Sequence, residues 1–280
     1  MRYINKALHK NQGEQIVTEF LERFFTRKNV FPSDFYNAFS SEIDDNNGGV
    51  TFRDRLRDSV LLPEQQGLCC YCLRRLDKCK KITVEHLMRN HAADKAELDT
   101  YRSRPTALDG IPHSDEYRAG DLTSVPPHPH SIAYQNLVLS CDGDFFKEGT
   151  KNSCCNLKRI NKFIPPLPLY SDIDLTFVYH ADGMAEWTQD PQPPESKKNA
   201  VKILRLNNSI LKMVRRIWFF CKDNGLDPRN DDRNIIVNTM TGYMDPSSDI
   251  RASVILRNFK KDNYWNLLLE YEAFFDVTHC

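Results

Sequence analysis

The chain has 280 residues, a mass of 32.6 kDa, 40% hydrophobic and 27% charged residues, which is ordinary for a globular protein. Its 38 basic and 38 acidic residues balance, so the molecule as a whole exerts no net attraction on a polyanion. No apolar run approaches the roughly 20 residues of a membrane helix, and the first residues lack a secretory signal. Nine cysteines without an export signal therefore predict a cytoplasmic protein whose clustered cysteines bind metal.

The first part of the chain has helical character. Apolar residues at helical spacing predict a helix over residues 14–28, and turn-forming residues predict a loop at 44–49. A second short helix is predicted at 51–62. Residues 68–82 are expected to form a zinc-knuckle turn that leads into a strand near 82–84.

Regular secondary structure is expected to resume after a long polar insertion. Residues 91–130 are rich in Pro, Asp and Arg, and the proline-rich end of this segment excludes regular helix or strand interior. An apolar strand is predicted at 137–139, followed by a short helix within 155–163. Two prolines end that helix.

The last third of the chain is predicted to combine a hairpin with helices. Strands at 175–179 and 184–188 flank a turn that contains Asp and Gly. Helical periodicity covers residues 197–222 and again 253–276. We therefore expect a mainly helical C-terminal region.

Two groups of cysteines bracket the middle of the chain. Two cysteines separated by two residues can both turn onto one ion, and a second group further along can complete a tetrahedral site. The predicted ligands of a structural zinc ion are Cys69, Cys72, Cys141 and Cys155. The spacing leaves Cys70 and Cys154 open as alternatives.

A carboxylate and an imidazole stand side by side at Glu85-His86, directly after the predicted strand. A histidine suits proton abstraction from water, because its ordinary pKa of about 6.5 lies near neutral pH. The carboxylate suits Mg²⁺, which prefers oxygen ligands. Successive side chains on a strand point to opposite faces, so both can serve one site only through a twist or bulge. Alternatively, His86 is a further zinc ligand or a hydrogen-bonded core residue.

The wider pattern resembles the HNH (ββα-metal) endonucleases, and among them the retron- and Septu-associated PtuB-like family of anti-phage nucleases. The matching stretches are Leu61-Leu62, Gln65 to Cys72, Val84 to Leu87, Tyr134 to Leu137, Ser140-Cys141 and Cys155-Asn156. Further likenesses are Met1 to Lys6, Ile203 to Asn208 and Arg215-Arg216. The chain departs from the family in lacking a proline soon after the Glu-His pair and in its long spacer before Asn136.

The resemblance implies a role for each residue of the motif. His86 is the implied general base that deprotonates water, and Asn136 is implied to orient the catalytic loop. Glu85 and Asn156 are implied to hold a catalytic Mg²⁺ or Mn²⁺ ion. Asn156 stands where many relatives have histidine, and its amide still offers an oxygen ligand.

Basic stretches flank both cysteine groups and are candidates for phosphate contacts. The first contains Arg74, Arg75, Lys78, Lys80 and Lys81. The second contains Lys147, Lys151, Lys158, Arg159 and Lys162. Within the second stretch, Lys158 and Arg159 are expected to position phosphates.

These observations predict an α+β fold, with a small zinc-stapled ββα-metal (HNH) core inside a mainly helical shell. The predicted segments are 1–60 (helical), 61–165 (nuclease core with an inserted loop at about 91–130) and 166–280 (hairpin plus helical region). The predicted function is metal-dependent hydrolysis of DNA or RNA. The resemblance implies an ATPase partner of the PtuA type, docked through residues beyond about 195, and a retron reverse transcriptase with its RNA and DNA as a further candidate partner.

Two other functions fit parts of the pattern. A non-catalytic zinc-ribbon module that binds nucleic acid or protein would use His86 as a structural residue. A thiol oxidoreductase would use Cys69 and Cys72 for redox chemistry, but the chain lacks a thioredoxin-like βαβ pattern around them. Nuclease activity of the protein and of a His86 variant separates these hypotheses.

Overall fold

Helices and small antiparallel sheets make up the fold, which confirms the α+β class. In the computed structural model, the described residues are 1–79, 82–90, 101, 106–119, 123–146, 153–188, 195–244 and 250–277. Within them, the chain forms three two-stranded sheets. None of the helices in these ranges is both long and apolar enough to cross a membrane.

The N-terminal part is helical, as the sequence predicts. Its elements are α1 (Lys10–Lys28), α2 (Phe35–Ser41), β1 (Ile43–Asp44), β2 (Val50–Thr51), α3 (Phe52–Leu56), a π-helical turn (Arg57–Leu61) and α4 (Leu62–Glu64). The buried face of α1 includes Ile16, Val17 and Phe20. Helix α2 begins where the Asp34 carboxylate accepts the backbone N–H of Asn37. At 7 residues, α2 is too short for helical periodicity to predict it.

The centre of the fold is a strand–strand–helix unit. Strands β3 (Ile82–His86) and β4 (Leu137–Cys141) pair antiparallel in an uninterrupted register from Ile82 opposite Cys141 to His86 opposite Leu137. The helices whose bounds lie within the described residues of this part are α5 (Ser114–Ala119) and α6 (Asn156–Arg159). Helix α6 is shorter than predicted, because Ile160 adopts a left-handed conformation with φ 48°.

The described part of the predicted insertion packs against the core, and it contains one short helix where the sequence predicts a loop. Residues 91–100, 102–105 and 120–122 lie outside the described residues. Of the rest, Leu108, Ile111 and Tyr117 are buried, and α5 is helical. Apolar residues scattered among polar ones give no periodic signal, so the sequence pattern did not reveal this packing.

The C-terminal part contains the predicted hairpin and a set of helices. The elements are α7 (Ile173–Thr176), β5 (Phe177–Tyr179), β6 (Ala185–Trp187), α8 (Glu195–Ile203), α9 (Ser209–Asp223), α10 (Arg233–Tyr243), α11 (Ile250–Asn258) and α12 (Asp262–Leu269). The single helix predicted at 197–222 is two helices, since Arg205 has φ 50° and the Asn208 side chain caps α9. The pattern at 253–276 likewise divides into α11, α12 and a short 3₁₀ turn.

Buried side chains from all three predicted segments belong to one contiguous core. Phe20 comes from the first segment, Leu139 from the second and Trp218 from the third, and none of them is exposed. A buried ion pair joins the first two segments, because the Lys6 ammonium lies 2.7 Å from Glu64 and also donates to the Leu137 carbonyl of β4. Strand β4 is therefore held by Lys6 from the N-terminal segment, and it shares a core with Trp218 from the C-terminal segment.

Candidate functional site

Four cysteines from the two predicted groups meet inside the protein. The sulfur atoms of Cys69, Cys72, Cys141 and Cys155 all lie within 4.8 Å of one another, and all four residues are buried. The Sγ atoms of Cys69 and Cys155 are 3.9 Å apart, and those of Cys72 and Cys141 are 3.7 Å apart. These distances exceed the roughly 2.05 Å of a disulfide. A tetrahedral zinc site with Zn–S bonds of about 2.3 Å needs sulfur–sulfur distances of about 3.8 Å. The cluster therefore could hold a structural metal such as zinc.

Backbone hydrogen bonds shape the first half of the cluster. The Cys69 N–H donates to the carbonyl of Arg74, and Leu73 turns the chain with φ 66°. The turn is joined to β4, because Cys70 donates its N–H to the Leu139 carbonyl. The side chain of Gln65 donates to that same carbonyl and accepts the Leu139 N–H. The predicted knuckle turn is thus fixed against the strand that ends in Cys141.

The structure narrows the alternatives for the ligands. Cys154 is buried, and its sulfur lies 3.3 Å from that of Cys155, closer than two ligands of one tetrahedral ion would stand. Neither Cys154 nor Cys70 belongs to the four-sulfur group. His86 is also outside this group, which argues against a role as a further zinc ligand.

Neighbouring thiols favour deprotonation of two of the cysteines. Burial raises the pKa of Cys69, but hydrogen bonds from Cys141, Cys155 and Cys70 outweigh it and place that pKa well below the ordinary value. The pKa of Cys72 is lowered in the same way against the effect of burial. Hydrogen bonding with Cys154 raises the pKa of Cys141, and burial raises the pKa of Cys155. Because the thiolate is the form that ligates metal, Cys69 and Cys72 are the members of the cluster that favour binding of a cation.

Residues from the C-terminal part of the chain surround the cluster, and the sequence did not indicate them as part of the site. The Tyr271 hydroxyl lies 3.6 Å from the Cys72 sulfur. Arg215 is buried, donates to the Gly183 carbonyl and stacks over the Tyr179 ring at 4.9 Å. Its Nε and Nη2 atoms have no hydrogen-bond partner among the described residues. Burial lowers the pKa of Arg215, and the nearby phenols and thiols oppose that shift. A metal bound by four thiolates would be anionic and would compensate this buried charge.

The candidate general base stands at the end of β3. The Nε2 atom of His86 lies 2.8 Å from the backbone oxygen of Ser131. A carbonyl oxygen only accepts, so Nε2 carries the proton in this contact and Nδ1 is the basic nitrogen of the neutral ring. The His86 ring packs edge-on against Tyr36 of α2, with 4.4 Å between ring centroids. Contacts on two sides therefore fix its orientation.

Asn136 fastens the loops that flank β3 and β4. Its side-chain oxygen accepts the Met88 N–H at 2.6 Å, and its amide nitrogen donates to the carbonyls of Met88 and His130, both at 2.8 Å. Its own carbonyl accepts the Leu87 N–H. Asn136 is fully buried. These hydrogen bonds hold the loop after β3 against the turn that precedes β4.

The expected metal-binding role of Glu85 does not fit the structure. The register of β3 has no bulge, so Glu85 and His86 point to opposite faces. The Glu85 carboxylate is buried and lies 3.3 Å from the guanidinium of Arg159. Burial raises the pKa of Glu85 to about 7, although Arg159 acts to lower it. Glu85 therefore belongs to an internal ion pair that holds α6 against β3.

The expected phosphate contact by Arg159 is also wrong. Its guanidinium is buried, and it donates to the Tyr71 hydroxyl at 3.0 Å and to the Leu87 carbonyl at 3.0 Å. An arginine enclosed in this way cannot reach a phosphate. Lys158, on the same short helix, is only partly buried and stays a candidate. Asn156 is half-buried at the first position of α6.

The two arginines of the first basic stretch pair with acidic residues. Arg74 is buried and lies 2.6 Å from Glu270, and Arg75 pairs with Asp77 and Glu272. These ion pairs bind the knuckle to the C-terminal part. Lys80, Lys81, Lys147 and Lys151 lie outside the described residues.

Two histidines of the proline-rich segment, His128 and His130, are buried. The Nδ1 atom of His130 accepts the N–H of Ser114 at 2.9 Å, and burial lowers the pKa of His130 to about 3. His128 contacts the Thr18 hydroxyl, and burial lowers its pKa to about 4. Both rings are therefore neutral at pH 7 and serve packing. His91 lies outside the described residues.

Comparisons with known proteins give no independent identification. No protein-family model matches this chain, and no curated protein matches it.

Proposed function

We propose that this protein is a metal-dependent HNH endonuclease that hydrolyses phosphodiester bonds of nucleic acid. The observation that carries the proposal is the position of His86 at the end of an antiparallel strand pair that a short helix follows. The imidazole is held by the Ser131 carbonyl, and Asn136 fixes the adjoining loop through three side-chain hydrogen bonds.

His86 supplies the base for the proposed reaction. The Nδ1 atom accepts a proton from water while the water oxygen attacks phosphorus. The bond between phosphorus and the leaving sugar oxygen breaks, and that oxygen takes a proton from solvent. The hydrogen bond to Ser131 favours the tautomer in which Nδ1 is the basic nitrogen of the neutral ring, the form that general-base catalysis near neutral pH uses.

The two proposed metals differ in how well the described residues fit them. The four-cysteine cluster fits a structural zinc ion in donor type, sulfur spacing and burial. For a catalytic Mg²⁺ or Mn²⁺ ion, Asn156 offers an amide oxygen, whereas the paired Glu85 does not fit. A divalent ion bound there would supply charge neutralisation for the phosphate.

The proposed partner is an ATPase subunit of the PtuA type, in an anti-phage system of the Septu or retron kind. In the region beyond about residue 195, the apolar residues Ile210, Leu211, Val214, Trp218 and Phe259 are buried and pack internally, and Trp265 and Leu269 are half-buried. Other apolar side chains of the C-terminal helices are exposed and support the proposal: Ile235, Tyr243, Ile250 and Val254. The docking surface is therefore proposed on α10 and α11.

The test is cleavage of DNA and RNA in Mg²⁺ or Mn²⁺ by the protein and by His86→Ala. We expect the variant to lose at least about 100-fold in rate, as removal of a general base does. Its zinc content and thermal stability should match those of the parent protein, because His86 lies outside the cysteine cluster.

Two results would contradict the proposal. Equal cleavage by the parent and His86→Ala would exclude His86 as the base. Loss of zinc or unfolding in His86→Ala, with no cleavage by the parent protein, would favour the non-catalytic zinc-binding module.

A further inference from the structure

A basic groove lies outside the strand–strand–helix unit, and its lining includes Arg205 and Arg216 from the stretches Ile203 to Asn208 and Arg215-Arg216. It has a volume of about 940 Å³ and is formed by α8, α9 and the start of α11. Its basic lining residues are Lys198, Lys202, Arg205, Lys212, Arg216 and Arg251. No acidic residue is among the described residues that line it. In a chain with zero net charge, this concentration of positive charge is a local feature.

The spacing of these residues places their charges on facing helices. Lys198 and Lys202 are four residues apart in α8, so they share one face of that helix. Lys212 and Arg216 have the same spacing in α9. Between them the groove contains the apolar residue Met213. A groove lined by separate basic side chains and some apolar ones suits a flexible polyanion, whose charges are spread along a chain. A small anion is instead bound by several hydrogen-bond donors that point at one place.

The groove is connected to the metal centre by the backbone. The N–H of Cys155 donates to the Leu204 carbonyl at 3.0 Å, so the turn after α8 lies against the start of α6. The charges also continue in this direction. Arg205, which lines the groove, directly follows Leu204 in the chain, and Lys158 lies on α6. Basic residues thus lie on both sides of the hydrogen bond between Cys155 and Leu204, in the groove and on α6, whose Arg159 contacts β3.

We infer that the groove between α8, α9 and α11 binds the phosphate backbone of nucleic acid and leads it across α6 toward the end of β3. The inference deepens the proposed function and rests on it for the choice of nucleic acid over an acidic protein. Phosphate contacts of this kind position a strand without reading its sequence. They also give binding that weakens as salt concentration rises.

The test measures binding of a fluorescent DNA duplex and of a single strand to the full chain carrying His86→Ala, which prevents cleavage. Lys202→Gln/Lys212→Gln removes two groove charges. Lys10→Gln/Lys28→Gln removes two exposed charges from α1 and is the matched control. Titrations at several salt concentrations give the affinity and the dependence of its logarithm on the logarithm of salt.

We expect the groove variant to bind about 10–100-fold more weakly and its salt slope to fall by about 2, while the control keeps both values. Equal affinities for the two variants would overturn the inference. So would a parent chain that binds polyglutamate but not DNA, because the groove would then fit an acidic protein partner.

The outcome is separable from that of the nuclease proposal. Loss of binding in the groove variant, together with no cleavage by the parent protein, would support the groove and contradict the nuclease. Cleavage by the parent protein with unchanged binding and cleavage by the groove variant would support the nuclease and contradict the groove.

Discussion

The cysteine cluster depends on which sulfur atoms converge, and sequence spacing could not decide between adjacent cysteines. Positions 154 and 155 are equally compatible with the spacing, but only Cys155 belongs to the four-sulfur group. The backbone decides this, because Cys155 has φ 49° and donates its N–H to the Leu204 carbonyl. That partner is nearly fifty residues away, so local sequence carries no signal for it.

We predict that Cys155→Ala lowers zinc binding to less than one ion per chain, whereas Cys154→Ala keeps about one ion. The reason is that the remaining three sulfurs leave a structural site open, which zinc-binding folds do not tolerate well. Elemental analysis of the purified variants is the measurement. Zinc retained by Cys155→Ala but lost by Cys154→Ala would reverse the assignment.

Glu85 gives the stability of the protein a pH dependence with a defined sign. Its pKa is about 7 in the folded chain, above the roughly 4.3 of an unfolded glutamate. Between these values the folded state holds more protons, so the free energy of unfolding falls as pH rises. Above pH 7 the dependence ends, because both states are ionised.

Glu85→Gln should remove this dependence, since an amide does not titrate. From pH 5.5 to 7.5, we expect the stability of the parent protein to fall by about 2 kcal/mol relative to the variant. Urea unfolding at each pH is the measurement, with zinc content monitored throughout. If the free energies of unfolding of the parent protein and of Glu85→Gln changed equally with pH, Arg159 would keep Glu85 ionised over the whole range.

The strands of the central unit were predictable, whereas their connections were not. Apolar runs and the motif residues located β3 and β4, because a strand leaves a local pattern in sequence. The contacts of Asn136 with Met88 and His130 depend on a loop conformation that periodicity does not describe. The Glu85–Arg159 pair was missed for a similar reason, because the pairing joins separate elements.

Asn136 should contribute strongly to the stability of this unit. Asn136→Ala leaves three buried backbone groups without partners, and we expect the free energy of unfolding to fall by about 3 kcal/mol. Asn136→Asp keeps the oxygen that accepts the Met88 N–H, but it replaces the amide nitrogen with an oxygen that faces the carbonyls of Met88 and His130. Oxygens repel one another there, so this variant should not restore stability. Urea unfolding measures both variants. A fall in the free energy of unfolding of less than about 0.5 kcal/mol in Asn136→Ala would show that these hydrogen bonds do not stabilise the unit.

The molecule as a whole is one core built from segments that the sequence divided into three. Local periodicity of apolar residues predicted the strands and helices of the α+β class and the mainly helical C-terminal part. The basic groove and the surroundings of Arg215 could not be predicted, because each joins residues from distant elements. Net charge also gave no sign of the groove, because a total of zero is compatible with a local group of basic residues.

Docking of the ATPase should depend on the exposed apolar residues of α10 and α11. We predict that Ile235→Glu/Val254→Glu abolishes co-elution with the co-expressed ATPase, because buried carboxylates oppose association. Size-exclusion chromatography is the measurement. Leu8→Glu/Val30→Glu, at exposed apolar positions of the N-terminal part, is the control. Co-elution of the Ile235/Val254 variant with the ATPase would place the interface elsewhere.

The most direct test of the central claim is chemical rescue of His86→Ala by imidazole. If His86 is the general base, added imidazole should restore measurable Mg²⁺- or Mn²⁺-dependent cleavage to the variant, with zinc content unchanged. The restored rate should follow the fraction of neutral imidazole as pH varies. An inactive variant that imidazole does not rescue at any concentration, although zinc and fold are intact, would contradict the assignment of His86 as the base.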